Sequence, residues 1–482
     1  MSQADAQPSD EKDKTTRFQF PSAFTILFGL IILVAAATWI VPAGQYERVE
    51  NPALGREVPV PGTYKTVDSN PQGIVDVFMA PIRGLYDPDT NQANAIDIAV
   101  FVLVIGGFLM VVTRTGAIDA GIGKVMVALR GQERWMIPIL MAFFAAGGTI
   151  YGMAEESLAF YALIIPVMMR AGYDTVTGVA IIMLGAGIGT LGSTINPFAT
   201  VIAANAAGIP FTDGIIARVI ILVLGWLACV VWVMRYAERV KADPSRSLVF
   251  DMKEANEKHF LQRAAPKQTN SDEFTATHKI VLVIFVASFA LLIYGVAALG
   301  WWMGQMSAMF LASAILVGVV ARMGEHEFVD TFIDGARDLL GVALIIGVAR
   351  GIVVVMDAGK ITDTTLFWSE EAVTGLGTIA FINVMFWLEV ALSFLVPSSS
   401  GLAVLTMPIM APLADFSEVS RDVVVTAYQS ANGLVNLINP TFAVVMGGLA
   451  IGRVSYDKWL RFTWPLLLIL AILITVVLSA SV

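Results

Sequence analysis

Apolar runs of about 20 residues, the length that crosses a bilayer as a helix, recur along the whole chain. They cover 22–42, 96–113, 214–234, 278–298, 303–321, 341–357 and 459–480. None has the two-residue alternation of a membrane β-strand. The pattern predicts an all-α polytopic membrane protein.

Two kinds of segment interrupt these runs. In 134–170 two apolar arms, each too short to span comfortably, flank the polar apex GGTIYGMAEES; Arg134 and Arg170 sit at the outer ends. This predicts a re-entrant hairpin with both ends on one side. A second hairpin is expected over 376–414, with the apex PSSSG at 397–401 and an acidic end, ADFSEVSRD. Each hairpin precedes a segment dense in Gly, Asn and Pro: 175–207, containing GAGIGTLGSTINPFAT, and 420–450, containing SANGLVNLINPTF. Proline removes a donor and blocks the turn before it. Both segments are therefore expected to be broken transmembrane helices, and freed backbone is tolerated in a bilayer only where it faces protein or a water-filled cavity.

The two broken segments align through Pro197 and Pro440, 243 positions apart. Pro166 and Pro408, Asp213 and Asp457, Arg218 and Arg461, and Gly116 and Gly359 fall at nearly the same interval. Upstream, IVDVFMAPIRGL (74–85) resembles FVDTFIDGARDL (328–339), each an amphipathic helix. The chain reads as a duplication: a first repeat over 21–236, a linker over 237–277, and a second repeat over 278–482. The span 278–298 adds one crossing between them, so the second repeat is expected to be inverted relative to the first. Inverted-topology repeats with broken helices at their interface characterise secondary transporters.

Composition agrees. The chain is 57% hydrophobic and 14% charged, with a mean hydropathy of +0.74, where a soluble domain carries about 25% charged residues. Positive charge sets the orientation. Lys12, Lys14 and Arg17 precede the first span, and the linker holds seven Lys/Arg. The 43–95 loop has four Lys/Arg against seven Asp/Glu. The N-terminus and the linker are expected in the cytoplasm of an inner-membrane protein, with the 43–95 loop and the C-terminus outside. The polar tail 1–20 is expected to be disordered, the first span to be a retained helix, and AIDAGIGKVMVALRG (117–131) to lie on the surface as an interfacial arm. Cys229, the single cysteine, is expected to be a packing residue.

The polar residues at depth are the candidate chemistry. Glu155 and Glu156 occupy the first hairpin tip, and carboxylates at membrane depth are costly and usually functional. With Ser157, the second tip's Ser398, Ser399 and Ser400, and Asn196, Asn432, Asn439 and Thr441 of the broken helices, they form the expected substrate contacts. Neither the tips nor the breaks hold Lys or Arg, so a substrate carboxylate is expected to rest on helix dipoles, amides and hydroxyls. Arg350 and Glu389, both inside apolar runs, are expected to pair. Enzyme signatures are absent: three histidines near polar loops make no metal triad, and the lack of GxxxxGK[ST] argues against an ATP-driven pump. No basic patch for nucleic acid occurs.

GMAEESLAFYALIIPVMMRAGYD, GSTINPFATVIAANAAGIP, PSSSGLAVLTMPIMAPLAD and NGLVNLINPTFAVVMGGLAIGRVSYDKWLRF resemble the YfcC family. That family is related to the anaerobic C4-dicarboxylate carriers and the arginine/ornithine antiporter-like proteins of the ion transporter superfamily. The resemblance covers nearly the whole chain from about residue 20. It implies a homodimer working by an elevator mechanism. It also implies a sodium and carboxylate site at Ser193, Thr194 and Asn196 and at Asn436, Asn439 and Thr441. Adding the neighbouring glycines, the expected ion ligands are Gly192, Ser193, Thr194 and Asn196 at one break and Gly433, Asn436 and Asn439 at the other. Na+ is the one inorganic partner implied. The acidic tip tilts the expected substrate towards an amino acid, possibly a basic one, coupled to Na+, H+ or counter-substrate. A C4-dicarboxylate symporter is the alternative, and a channel or a structural protein are the rivals from other classes.

Overall fold

The computed structural model describes residues 23–51, 56–91, 93–118, 120–121, 132–262 and 275–482. The expected disordered tail, most of the interfacial arm and part of the linker lie outside the described residues.

The first half runs α1 (Ala23–Ala37), α2 (Ile74–Leu85), α3 (Ile96–Arg114), α4 (Met136–Tyr151), α5 (Leu158–Arg170), α6 (Thr175–Leu191), α7 (Ile202–Ala207) and α8 (Ile215–Ala242). Between the halves stands α9 (Ala276–Leu299), where an added crossing was expected; its described apolar stretch, like that of α1, is shorter than a full span. The second half runs α10 (Met303–Val320), α11 (Glu325–Asp338), α12 (Leu340–Ala358), α13 (Thr362–Val373), α14 (Thr378–Leu395), α15 (Ser399–Phe416), α16 (Arg421–Val435), α17 (Ala443–Gly452) and α18 (Tyr456–Ala480). The element order repeats, with α13 standing where residues 117–131 stand in the first half. Among the described residues seven helices are long and apolar enough to cross a membrane: α3, α8, α10, α12, α14, α15 and α18.

The predicted hairpins are α4–α5 and α14–α15, and the predicted broken helices are α6–α7 and α16–α17. The arms of the second hairpin are 18 residues each, against 16 and 13 in the first.

The helices form two packed groups. In one, α2 lies on α12 and α11 lies on α3, so each half lends its amphipathic helix to the other. Glycine makes these crossings possible. A methyl on Gly84 would run into the Gly347 carbonyl, and one on Gly335 into that of Gly106. Lipid supplies no hydrophobic force between helices, so close backbone approach over small residues is what joins them. In the other group each hairpin packs on its own broken helix, α4 and α5 on α6, and α14 and α15 on α16. Gly148 and Gly189 meet the carbonyls of Ala186 and Ala145, and Gly433 meets the Leu191 backbone where the two broken helices cross. Cys229 is fully buried on α8, as a packing residue should be.

Two features were not expected. The 43–67 stretch folds into two antiparallel ribbons, β1 (Gly44–Gln45) with β4 (Lys65–Thr66) and β2 (Arg48–Asn51) with β3 (Arg56–Pro59). The first part of the linker is also ordered and docked. Asn256 donates to the Thr175 hydroxyl and accepts from Arg453, and Asp251 pairs with Lys458 at 2.5 Å.

Candidate substrate site

Each break is braced by the asparagine that precedes its proline. Asn196 is the N-cap of the helical segment that restarts at Pro197, its Oδ1 accepting from the Phe198 and Ala199 amides at 2.8 and 3.1 Å. Asparagine is among the best N-caps, and proline suits the first helical position because that amide has no partner anyway. The Asn196 Nδ2 reaches across to the Gly148 carbonyl at the end of α4, 3.1 Å away. In the second half Asn439 Oδ1 accepts from the amide and hydroxyl of Thr441, while its Nδ2 donates to the Ser393 and Phe394 carbonyls at the end of α14. Asn196 thus begins the next helical segment, Asn439 braces the turn between α16 and α17, whose caps are Asn436 and Phe442, and each asparagine pins the hairpin beside it.

The carbonyls released by unwinding are engaged by protein donors. In the first break the Leu191 and Ser193 carbonyls accept from Gln429 Nε2, and Leu191 also from the Ser430 hydroxyl, all from α16. In the second, the Leu437 and Ile438 carbonyls accept from Trp459 and Tyr456 of α18 at 2.9 and 2.8 Å. The Ser193 hydroxyl bonds Thr200 and the Thr194 hydroxyl bonds Thr149.

A cavity of about 450 Å³ lies where the two hairpin tips and the two breaks converge. Of the expected contacts, Glu155, Glu156, Ser157, Asn196, Ser398, Ser399, Ser400, Asn432, Gly433, Asn436 and Thr441 line it. Gly192, Ser193, Thr194 and Asn439 stand behind the wall. The cavity contains orphaned polar atoms: the Ser157 hydroxyl and one amide atom each of Asn432 and Asn436 have no partner among the described residues. Buried polar atoms are nearly always satisfied, so such atoms gathered in one cavity fit a polar ligand. Glu156 is buried, with Oε2 accepting from the Ala154 amide at 3.1 Å, and Glu155 is half-buried beside it.

The expected pairing of Arg350 with Glu389 does not occur. Arg350 lies on α12 and lines the cavity from the first group of helices, while Glu389 is fully buried within the second hairpin. Arg350 is therefore among the residues lining the cavity, where the sequence reading had not placed it. Trp302 closes one edge, its ring 5.9 Å from that of Phe198 and its Nε1 bonded to Asp97.

The family model of the C4-dicarboxylate anaerobic carriers (DcuC) matches residues 20–482. The chain belongs to this family. As a C4-dicarboxylate anaerobic carrier family member it is a multi-pass secondary membrane transporter, and the resemblance drawn from its motifs is borne out. A Haemophilus influenzae protein is 36% identical, over 98% of this chain and 99% of that one. The Escherichia coli (strain K12) protein named "Putative basic amino acid antiporter YfcC" is 32% identical over 97% of each. Among solved structures, the YdaH transporter of Alcanivorax borkumensis aligns with 95% of this chain and 98% of its own, at a TM-score of 0.37 and 13% identity. MtrF of Neisseria gonorrhoeae aligns with 96% of each at 0.37 and 14%. Within the family's common frame, the residues that reading by motif missed are Arg350, Trp302 and the α16 donors Gln429 and Ser430. Only Arg350 carried a signal, as a charge in the middle of an apolar run.

Proposed function

We propose that the chain is a secondary active transporter of an amino acid, with a basic one favoured. One observation carries this reading. A single cavity between both hairpin tips and both helix breaks is lined by Glu155, Glu156 and Arg350, with unsatisfied Ser and Asn atoms among its residues. A guanidinium suits a carboxylate and the two glutamates suit ammonium groups. Two acidic groups against one basic group favour a cationic substrate, and the printed name of the Escherichia coli relative points the same way.

The group of hairpins and broken helices is the moving part in this reading, carried past α3 and α12 by an elevator motion in a homodimer of the inner membrane. Exchange of the amphipathic helices α2 and α11 between halves is the packing that two inverted repeats would produce. The N-terminus is then cytoplasmic and the C-terminus outside. Coupling is to H+, Na+ or counter-substrate. The second reading is a C4-dicarboxylate symporter, favoured by Arg350 and by the family's description.

Purified protein in liposomes separates the two. Arginine or ornithine should accumulate uphill, and succinate or fumarate should not compete; a sodium gradient imposed or omitted tests Na+. Uptake of succinate in place of arginine would establish the dicarboxylate reading, and flux without uphill accumulation would point to a channel.

A further inference from the structure

Glu389 takes no part in the cavity. It lies in the interior of α14, fully buried, with no charged partner and no hydrogen bond of standard geometry among the described residues; the Thr406 hydroxyl alone stands within reach. Two groups face it. One is Thr406 on α15, whose hydroxyl donates to the Leu402 carbonyl at 3.1 Å; the other is the Tyr428 hydroxyl on α16, which donates to the Ser399 carbonyl. No charged group of α13 or α18, the remaining helices packed on α14, reaches it. One turn further along α14, the Ser393 hydroxyl is also buried without a partner.

An ionised carboxylate taken out of water with no partner costs several kcal/mol, and acidic groups inside membrane proteins commonly mark proton relays. The neutral acid avoids most of that cost. Tyr428 connects this buried group to the site, because the Ser399 carbonyl it holds belongs to the hairpin tip that lines the cavity.

We propose that Glu389 is the proton-binding site of this transporter, travelling with the second hairpin and coupled to the substrate cavity through Tyr428 and Ser399. The carboxylate takes one H+ from water on the side where protons are abundant. It returns that proton to water on the other side, with no other bond made or broken. This rests on the transporter reading above, extending it to the coupling ion and its residue.

The test uses full-length protein in liposomes, with arginine as the probe. Wild type should accumulate arginine when a pH gradient is imposed. E389Q should lose that accumulation while keeping arginine-for-arginine exchange at equal pH, and its wild-type melting temperature would establish that it folds. Infrared spectra give a readout independent of substrate: a protonated-carboxyl band that fades in alkaline buffer, absent from E389Q and shifted in its titration by Y428F. Gradient-driven accumulation surviving in E389Q, or a wild-type spectrum without that band, overturns the proposal. Absence of arginine exchange in wild type would instead count against the basic-amino-acid reading, and the infrared titration then decides the fate of Glu389 alone.

Discussion

The two Asn-Pro pairs show how much one amide can hold. Replacing Asn196 by Ala strands the Gly148 carbonyl and the Phe198 and Ala199 amides. Each stranded buried group costs about 1–3 kcal/mol, so N196A should lose about 3 kcal/mol or more, read from melting in detergent. The substrate side should separate by charge. Arg350→Gln should raise KM for every carboxylate-bearing substrate by about tenfold, the equivalent of ~1.4 kcal/mol; Arg350→Lys should restore only part, since an ammonium lacks the planar fork. Glu155→Gln should weaken arginine selectively. Uptake kinetics across an amino acid and organic acid panel check both. The asparagines were legible because Asn before Pro marks a backbone turn; at Asn196 it restarts a helix, while after Asn439 the helix resumes only at Ala443. Arg350 was legible as a charge at depth but not as a cavity residue. Nothing local in LIIGVARGIVVVM says which neighbour its helix will face, and Glu389 looked an equally good partner.

The ribbons of 43–67 illustrate the opposite case. Their strands are two to four residues long, too short for a periodic signal, and what anchors them lies more than 300 residues away. Asp363 on α13 is buried, accepting from the Tyr46 amide at 3.0 Å and pairing with Arg48 at 2.7 Å. Tyr64 stacks on Phe367 with ring centroids 4.2 Å apart. Asp363→Ala should cost about 2–3 kcal/mol, the range for a hydrogen bond to a charged group, and hydrogen exchange should quicken across both ribbons. On the opposite flank the linker's Asp251 carboxyl is held below the usual carboxylate range by Lys458. A depressed carboxylate stabilises the fold above its ordinary pKa and loses that contribution as pH falls through the depressed value. Protease cleavage within 243–262 should therefore rise in acid, and Lys458→Ala should show the raised cleavage already at neutral pH.

Between the two groups of helices runs a second cleft, of about 500 Å³, with Leu109 and Met110 of α3 on one side and Leu158 and Ala162 of α5 on the other. His259 and Phe260 of the linker reach into it. If one group slides past the other, this is a seam along which it slides. Cysteines at Met110 and Ala162, introduced with Cys229→Ser, should on cross-linking stop uptake while leaving the arginine-induced thermal shift; uptake unaffected by the cross-link would contradict the sliding motion. The expected duplication rested on the regular interval between the prolines, since proline, glycine and asparagine mark backbone events that a fold cannot move. What the interval conceals is how the halves have diverged in their upkeep of the breaks. The first break borrows its donors, Gln429 and Ser430, from the second half, and their counterparts 243 positions earlier are Ala186 and Gly187. The second break uses Trp459 and Tyr456 of its own half, whose counterparts, at the interval that pairs Asp213 with Asp457, are Ile215 and Thr212. A gene fusing two copies of the first half would leave these carbonyls without those donors on either side. On these contacts, neither half can stand in for the other.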